Sequence, residues 1–121
     1  MSETQNKNNY DLEARTLKFA KDVRNFVRKL LRTISNIEDS KQLVRSSGLI
    51  GANYIEANEA LSKKDFSMRI KISRKEAKES CFWLSLIYVG NNSTLEGERE
   101  KLLDESKQLT KIFGSIVEKS K

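Results

Sequence analysis

Asn53 and Glu56 stand three residues apart in the stretch IGANYIEANEALSKKDF, residues 50–66, with Asn58 and Glu59 close behind. At that spacing an acid and an amide share one side of a helix, where they can act together on a substrate, bind one another or meet the same partner helix. Catalysis by a lone Glu needs a second acid, base or metal. The chain has no histidine, which removes the side chain most used for proton transfer near neutral pH and the commonest transition-metal ligand. No Glu-x-x-His pair of the kind that di-iron bundles use is present. Cys81 is the one cysteine, so neither an internal disulfide nor a thiolate cluster can form, and it reads as a small buried hydrophobe. With no glycine-rich phosphate loop and no serine elbow, the expectation is a protein without enzymatic chemistry, metal or cofactor. Asn53 and Glu56 are then a structural polar network that fixes helix register.

The second set of residues with chemical potential is cationic. The net charge is +6, and its excess is concentrated: residues 15–32 hold seven Lys or Arg against one acid, and residues 63–78 hold seven against two. Lys21, Arg24, Arg28 and Arg32 form an outward stripe on the first helix, while Arg74, Lys75 and Lys78, with Lys64 and Lys71, lie on the polar side of the third. Cations on rigid helices suit nucleic-acid phosphates, whose condensed counterions are released on contact. A charge run is also the ordinary composition of a solvated face, and this one lacks interleaved aromatics for base stacking. RNA or DNA held by its backbone, without sequence readout, is the expectation.

Both sets need helices to position them. Hydrophobic residues make up 37% of the 121, charged residues 33%, and proline is absent, a composition that favours long helices. Three- and four-residue apolar steps predict a first helix from Tyr10 to about Ile34 through Ala20, Val23, Val27, Leu30 and Leu31. The segment SNIED reads as a turn, and Asp39 or Ser40 as the cap of a second helix from about Lys41 to Leu61. Ser62 is a natural N-cap for the third helix, with Asp65 in its first turn and Leu61 and Phe66 placed for a hydrophobic staple. That helix is expected to run to about Val89, with Trp83 filling a core or an interface. GNNST, including Asn91 and Asn92, supplies its stop and the next cap, and Leu95, Leu102, Leu109, Ile112, Phe113, Ile116 and Val117 outline a fourth helix. Short connections force neighbours to reverse, so the expected fold is all-α, an antiparallel up-and-down four-helix bundle. Residues 10–121 form one domain, and residues 1–9 a disordered tail.

The second helix is unusual in being apolar or small on two sides: Leu43, Ile50, Tyr54, Ala57 and Leu61 on one, Val44, Gly48, Ala52 and Ile55 roughly opposite. Gly48, Gly51, Ala52 and Ile55 therefore read as a self-association surface that permits close backbone approach. The polar start lacks the apolar core of a secretory signal, and no window nears the roughly 20 apolar residues that span a bilayer, so a cytoplasmic setting is expected.

QLVRSSGLIGANYIEANEALSKKDF, continuing into KISRKEAKESCFWL, resembles the small four-helix-bundle proteins encoded in intervening sequences of bacterial large-subunit (23S) ribosomal RNA genes. The resemblance runs from about Leu17 to Tyr88. Its most specific parts are Ser46-Ser47 with Ile50-Gly51-Ala52-Asn53, Glu56-Ala57-Asn58-Glu59-Ala60, Lys64-Asp65-Phe66, and Lys75-Glu76-Ala77 with Glu79 and Trp83-Leu84. It implies an up-and-down bundle that assembles into a closed ring, most often a homopentamer, with no established enzymatic activity. A related protein accompanies the reverse transcriptase of diversity-generating retroelements, where a basic pentameric barrel binds the enzyme and nucleic acid. The expected partners are accordingly further copies of the chain and RNA or DNA, or else a reverse transcriptase or other protein recruited by an adaptor ring.

Overall fold

A computed structural model describes residues 3–121, with side chains described from Asp11 onward. It contains four helices: α1 (Glu3–Val27), α2 (Ile34–Asn58), α3 (Lys63–Leu86) and α4 (Ser93–Lys119). Of the tail expected over residues 1–9, residues 1–2 lie outside the described residues, and the backbone from Glu3 is helical as part of α1.

Each of the last three helices begins on a side chain that accepts from an otherwise unpaired backbone N–H of its first turn. Thr33 Oγ1 takes the Asn36 amide at 3.1 Å, Ser62 Oγ the Asp65 amide at 3.1 Å, and Asn92 Oδ1 the Leu95 amide at 3.0 Å. The caps at Ser62 and in GNNST are those expected from the sequence. The first boundary is not: α1 stops at Val27 instead of Ile34, and α2 is capped by Thr33, not by Asp39 or Ser40. Apolar periodicity runs on past Val27 because Leu30 is buried as a loop residue, so the pattern records burial there and not helix.

What makes SNIED helical is Asn36. Its buried side chain donates to the carbonyls of Leu31 at 3.0 Å and Tyr88 at 2.8 Å, and accepts from the Tyr88 amide at 2.9 Å. One amide thus ties the first turn of α2 to both the α1–α2 and the α3–α4 connections. At the other end of α2 the expected staple does not form: Leu61 is 99% exposed, while Phe66 packs on the core. α3 ends at Leu86, three residues short of expectation, and Ile87 and Val89 are buried from an extended segment before Gly90 turns the chain at φ +64°.

Interhelical pairs establish the topology. Thr16 meets Gly51 and Glu13 meets Asn58 across α1–α2; Ser46 meets Ser80 and Asn53 meets Arg69 across α2–α3. Arg74 meets Gly114 and Cys81 meets Ser106 across α3–α4, and Arg15 with Glu105, and Lys29 just past the end of α1 with Glu98, close α4 onto α1. In every pair of helices rising numbers meet falling ones, so all neighbours are antiparallel. Backbones pack only between neighbours, and the diagonals α1–α3 and α2–α4 are bridged by side chains in the centre. There Tyr54 sets its ring edge-on to Phe113 with centroids 5.6 Å apart, among Phe19, Val23, Leu43, Ile50, Ile70, Leu84 and Leu109. Each fully buried Phe or Leu contributes about 1.5–3 kcal/mol.

Replacing Asn36 by Ala leaves two carbonyls and one N–H without their partner. The expected loss is about 2–4 kcal/mol in urea unfolding, with the α1–α2 and α3–α4 connections losing amide-exchange protection together; a variant as stable as the parent would show that the clip is dispensable.

Candidate nucleic-acid interface

The seven cations singled out by sequence divide between two diagonal helices. On α1, Lys21 and Arg28 are exposed; Arg24 is half-buried, donating to the Ala20 carbonyl at 3.0 Å with its other guanidinium nitrogen reaching Gly48 of α2. Arg28 donates to Asn25 Oδ1 at 2.8 Å, and Arg32 is exposed in the connection that follows. On α3, Arg74 lies beside Gly114 of α4, and Lys75 and Lys78 face solvent. Because the backbones of α1 and α3 do not pack against each other, the cations make two faces, not one.

Among the described residues, none of these seven lies within 4.0 Å of a carboxylate, whereas Arg15, Lys18, Lys29, Lys41 and Arg99 each pair with one. Surface pairs of that kind add little stability, but they do cancel charge that a polyanion would otherwise meet. The rows on α1 and α3 keep theirs.

The expected Asn53–Glu56 network does not form as a pair. Asn53 is buried at the α2–α3 seam, accepts from Arg69 at 3.0 Å and donates to the Leu49 carbonyl at 2.9 Å; Glu56 points to solvent. Three residues turn a helix through about 300°, enough to carry Glu56 past the edge of the seam. The register contact is therefore Asn53 with Arg69, a charged hydrogen bond of about 1.5–3 kcal/mol.

Gly48, Gly51, Ala52 and Ile55 also separate. A Cβ on Gly51 would sit 2.8 Å from Thr16 Oγ1, so the close approach expected there is made inside the chain, against α1. Gly48 likewise faces Arg24 of α1. Ala52 and Ile55 remain on the surface, Ile55 half exposed.

One titratable residue that sequence reading passed over is Glu76. It is 4% exposed on the inner side of α3, and its Oε1 has no hydrogen-bond partner among the described residues. Burial, and then the neighbouring charge of Glu79, push its carboxyl above the usual range, against the opposing pull of Lys75 and Arg45. The sequence signal was its place between Ser73, Ala77 and Ser80 on the small-residue side of the helix, hidden in a run of charges. No three His, Cys, Asp or Glu side chains converge into a metal-binding group among the described residues, and no described helix is long and apolar enough to cross a membrane.

The family model for 23S rRNA-intervening sequence proteins matches residues 8–115. A crystal structure of a protein of unknown function from the S23 ribosomal protein family of Bacteroides thetaiotaomicron superposes with a TM-score of 0.75 at 29% identity, covering 91% of this chain and 97% of that one. Comparison with curated proteins found no match.

Two expectations follow from this geometry. Ala at Gly51 gains about 1 kcal/mol of helix propensity but loses about 1–3 kcal/mol to overpacking against Thr16. Ala at Gly97, with nothing within 4 Å, gains the propensity alone, so urea midpoints should move in opposite directions. For Glu76, a raised carboxyl means that the folded chain binds the proton more tightly than the unfolded one. Stability therefore falls as pH rises through the ordinary glutamate range, and the loss is complete above the raised value. Glu76→Gln should melt higher than the parent at neutral pH and converge with it in acid; parallel melting curves at all pH values would refute a strained carboxylate.

Proposed function

From the family to which this chain belongs, the 23S rRNA-intervening sequence proteins, and from its unneutralised cationic rows, we propose that it is a non-enzymatic homo-oligomer that binds RNA or DNA by the phosphate backbone. The observation that carries this reading is that Lys21, Arg24 and Arg28 on α1, and Arg74, Lys75 and Lys78 on α3, have no carboxylate within ion-pair distance among the described residues. Rigid helices hold these charges at intervals of about 1.5 Å per residue along the axis, so a polyanion meets them without their first having to be ordered. Each phosphate contact releases a counterion, which makes the affinity salt-dependent and indifferent to sequence. Two small faces per protomer bind weakly, and several copies joined together raise the effective concentration of the second contact. Ala52 and Ile55 remain available for that assembly, and the protein acts in the cytoplasm.

A second reading, an adaptor ring that recruits a polymerase or other protein, draws support from the apolar residues left on the surface around the α1–α2 connection. Leu31 is 56% exposed and Ile34 85%, which suits a protein partner better than a phosphate backbone.

A filter-binding series in increasing salt distinguishes them. On the nucleic-acid reading, log affinity falls linearly with log salt. Replacing Lys21, Arg24 and Arg28 together by Gln should flatten the slope by about 2–3, at 0.7–0.9 per phosphate contact. Absent binding at low salt, or binding indifferent to salt, would overturn it; a protein partner retained on a nuclease-treated column would favour the adaptor.

A further inference from the structure

Four residues of α3, Lys71, Lys75, Lys78 and Phe82, follow one another in steps of four, three and four. At about 100° per residue these steps return each side chain to nearly the same side of the helix, and all four are exposed. The acids nearest this row are drawn elsewhere: Glu76 is buried, and Glu79 is half-buried beside it. No carboxylate pairs with any of the three lysines among the described residues.

Phe82 is 57% exposed, an uncommon position for a large apolar ring on a surface helix of charged residues. A second ring lies against it. Trp83 meets it edge-on with centroids 5.0 Å apart and an interplanar angle of 78°, and Trp83 itself packs on the core. The ring thus stands, more than half exposed, at the end of a lysine row, one helical turn, about 6 Å along the axis, beyond Lys78. The α1 cations have no such neighbour: among the described residues the exposed aromatics are Phe82 and Tyr88, and Tyr88 follows the end of α3.

We propose that this face of α3 is a single-strand platform, in which Phe82 stacks on an unpaired base of RNA or DNA while Lys71, Lys75 and Lys78 hold the adjoining phosphates. The inference rests on the nucleic-acid reading above and narrows it. A duplex offers phosphates to the lysines but keeps its bases stacked on one another; a single strand offers both, and every base has a face that an aromatic ring accepts. The order along the helix, cations and then an exposed ring, matches a strand whose backbone tracks the row and whose terminal base turns onto it.

The test compares a short oligothymidine and a duplex of similar length with the parent, Phe82→Ala, Phe82→Tyr and the double variant Lys75→Gln/Lys78→Gln. Removing the ring should weaken single-strand binding by about tenfold, within the range for loss of one stacked base, and leave duplex binding unchanged. Tyr should restore single-strand binding, and the lysine variant should weaken both ligands. If Phe82→Ala weakens neither, weakens both alike, or lowers the solution mass of the assembly, the platform is overturned and Phe82 serves packing between copies or nothing. If the parent shows no salt-dependent binding to either ligand, the nucleic-acid reading fails with it. Salt-dependent binding by the parent with no selective loss on removing the ring sinks the platform alone.

Discussion

The close approach of α2 to both its neighbours is the constraint on which the rest of the bundle depends. On the α3 side the two helices meet through Ser46, Ser73 and Ser80, with Ser46 and Ser80 hydroxyls 2.9 Å apart and Ser73 donating across the seam to the Ile50 carbonyl at 2.9 Å. On the α1 side there is room at Gly51 for Thr16 and for no Cβ. Small side chains let backbones approach, but a buried hydroxyl without a partner costs about 1–3 kcal/mol. Each serine here has one: Ser80 also donates to the Glu76 carbonyl, and Ser47 to that of Val44. The serines of the seam are small and satisfied, which confines the helices to one register more strictly than interchangeable Leu and Ile would.

With α2 held this way, the large side chains fill the centre, and the antiparallel order places α1 and α3 on a diagonal. That order decides the electrostatics of the surface. The two basic segments of the sequence become two separate rows, one beside small and aliphatic residues, the other leading to an exposed aromatic ring. The same net charge therefore presents two different chemistries to a polyanion.

The same seam accounts for Glu76. A carboxylate on the inner side of α3, next to serines that spend their hydroxyls on backbone carbonyls, has one oxygen without a donor. The charges of Arg45 and Lys75 reduce the penalty without removing it. Asn53 shows the alternative outcome at the same seam, an amide that finds Arg69 across it. Polar residues at one seam thus end in opposite states according to what the facing helix happens to bring.

Local rules carried by the sequence determined the number of helices, the caps at Ser62 and in GNNST, and much of the core, since Val23, Leu43, Ile50, Tyr54, Ala57, Leu109, Phe113 and Val117 all lie on the stripes that periodicity marks. Capping and amphipathic spacing act within a few residues, and so are visible in a few residues. The α1–α2 boundary was not visible, because Leu30 is buried from a loop and Asn36 becomes helical through Tyr88, 52 positions away. Nor were Leu61, left in solvent by the path of the chain, the partner of Asn53, or the burial of Glu76. Each of these depends on which residue of another helix stands opposite, and that only the packing of α2 between α1 and α3 decided.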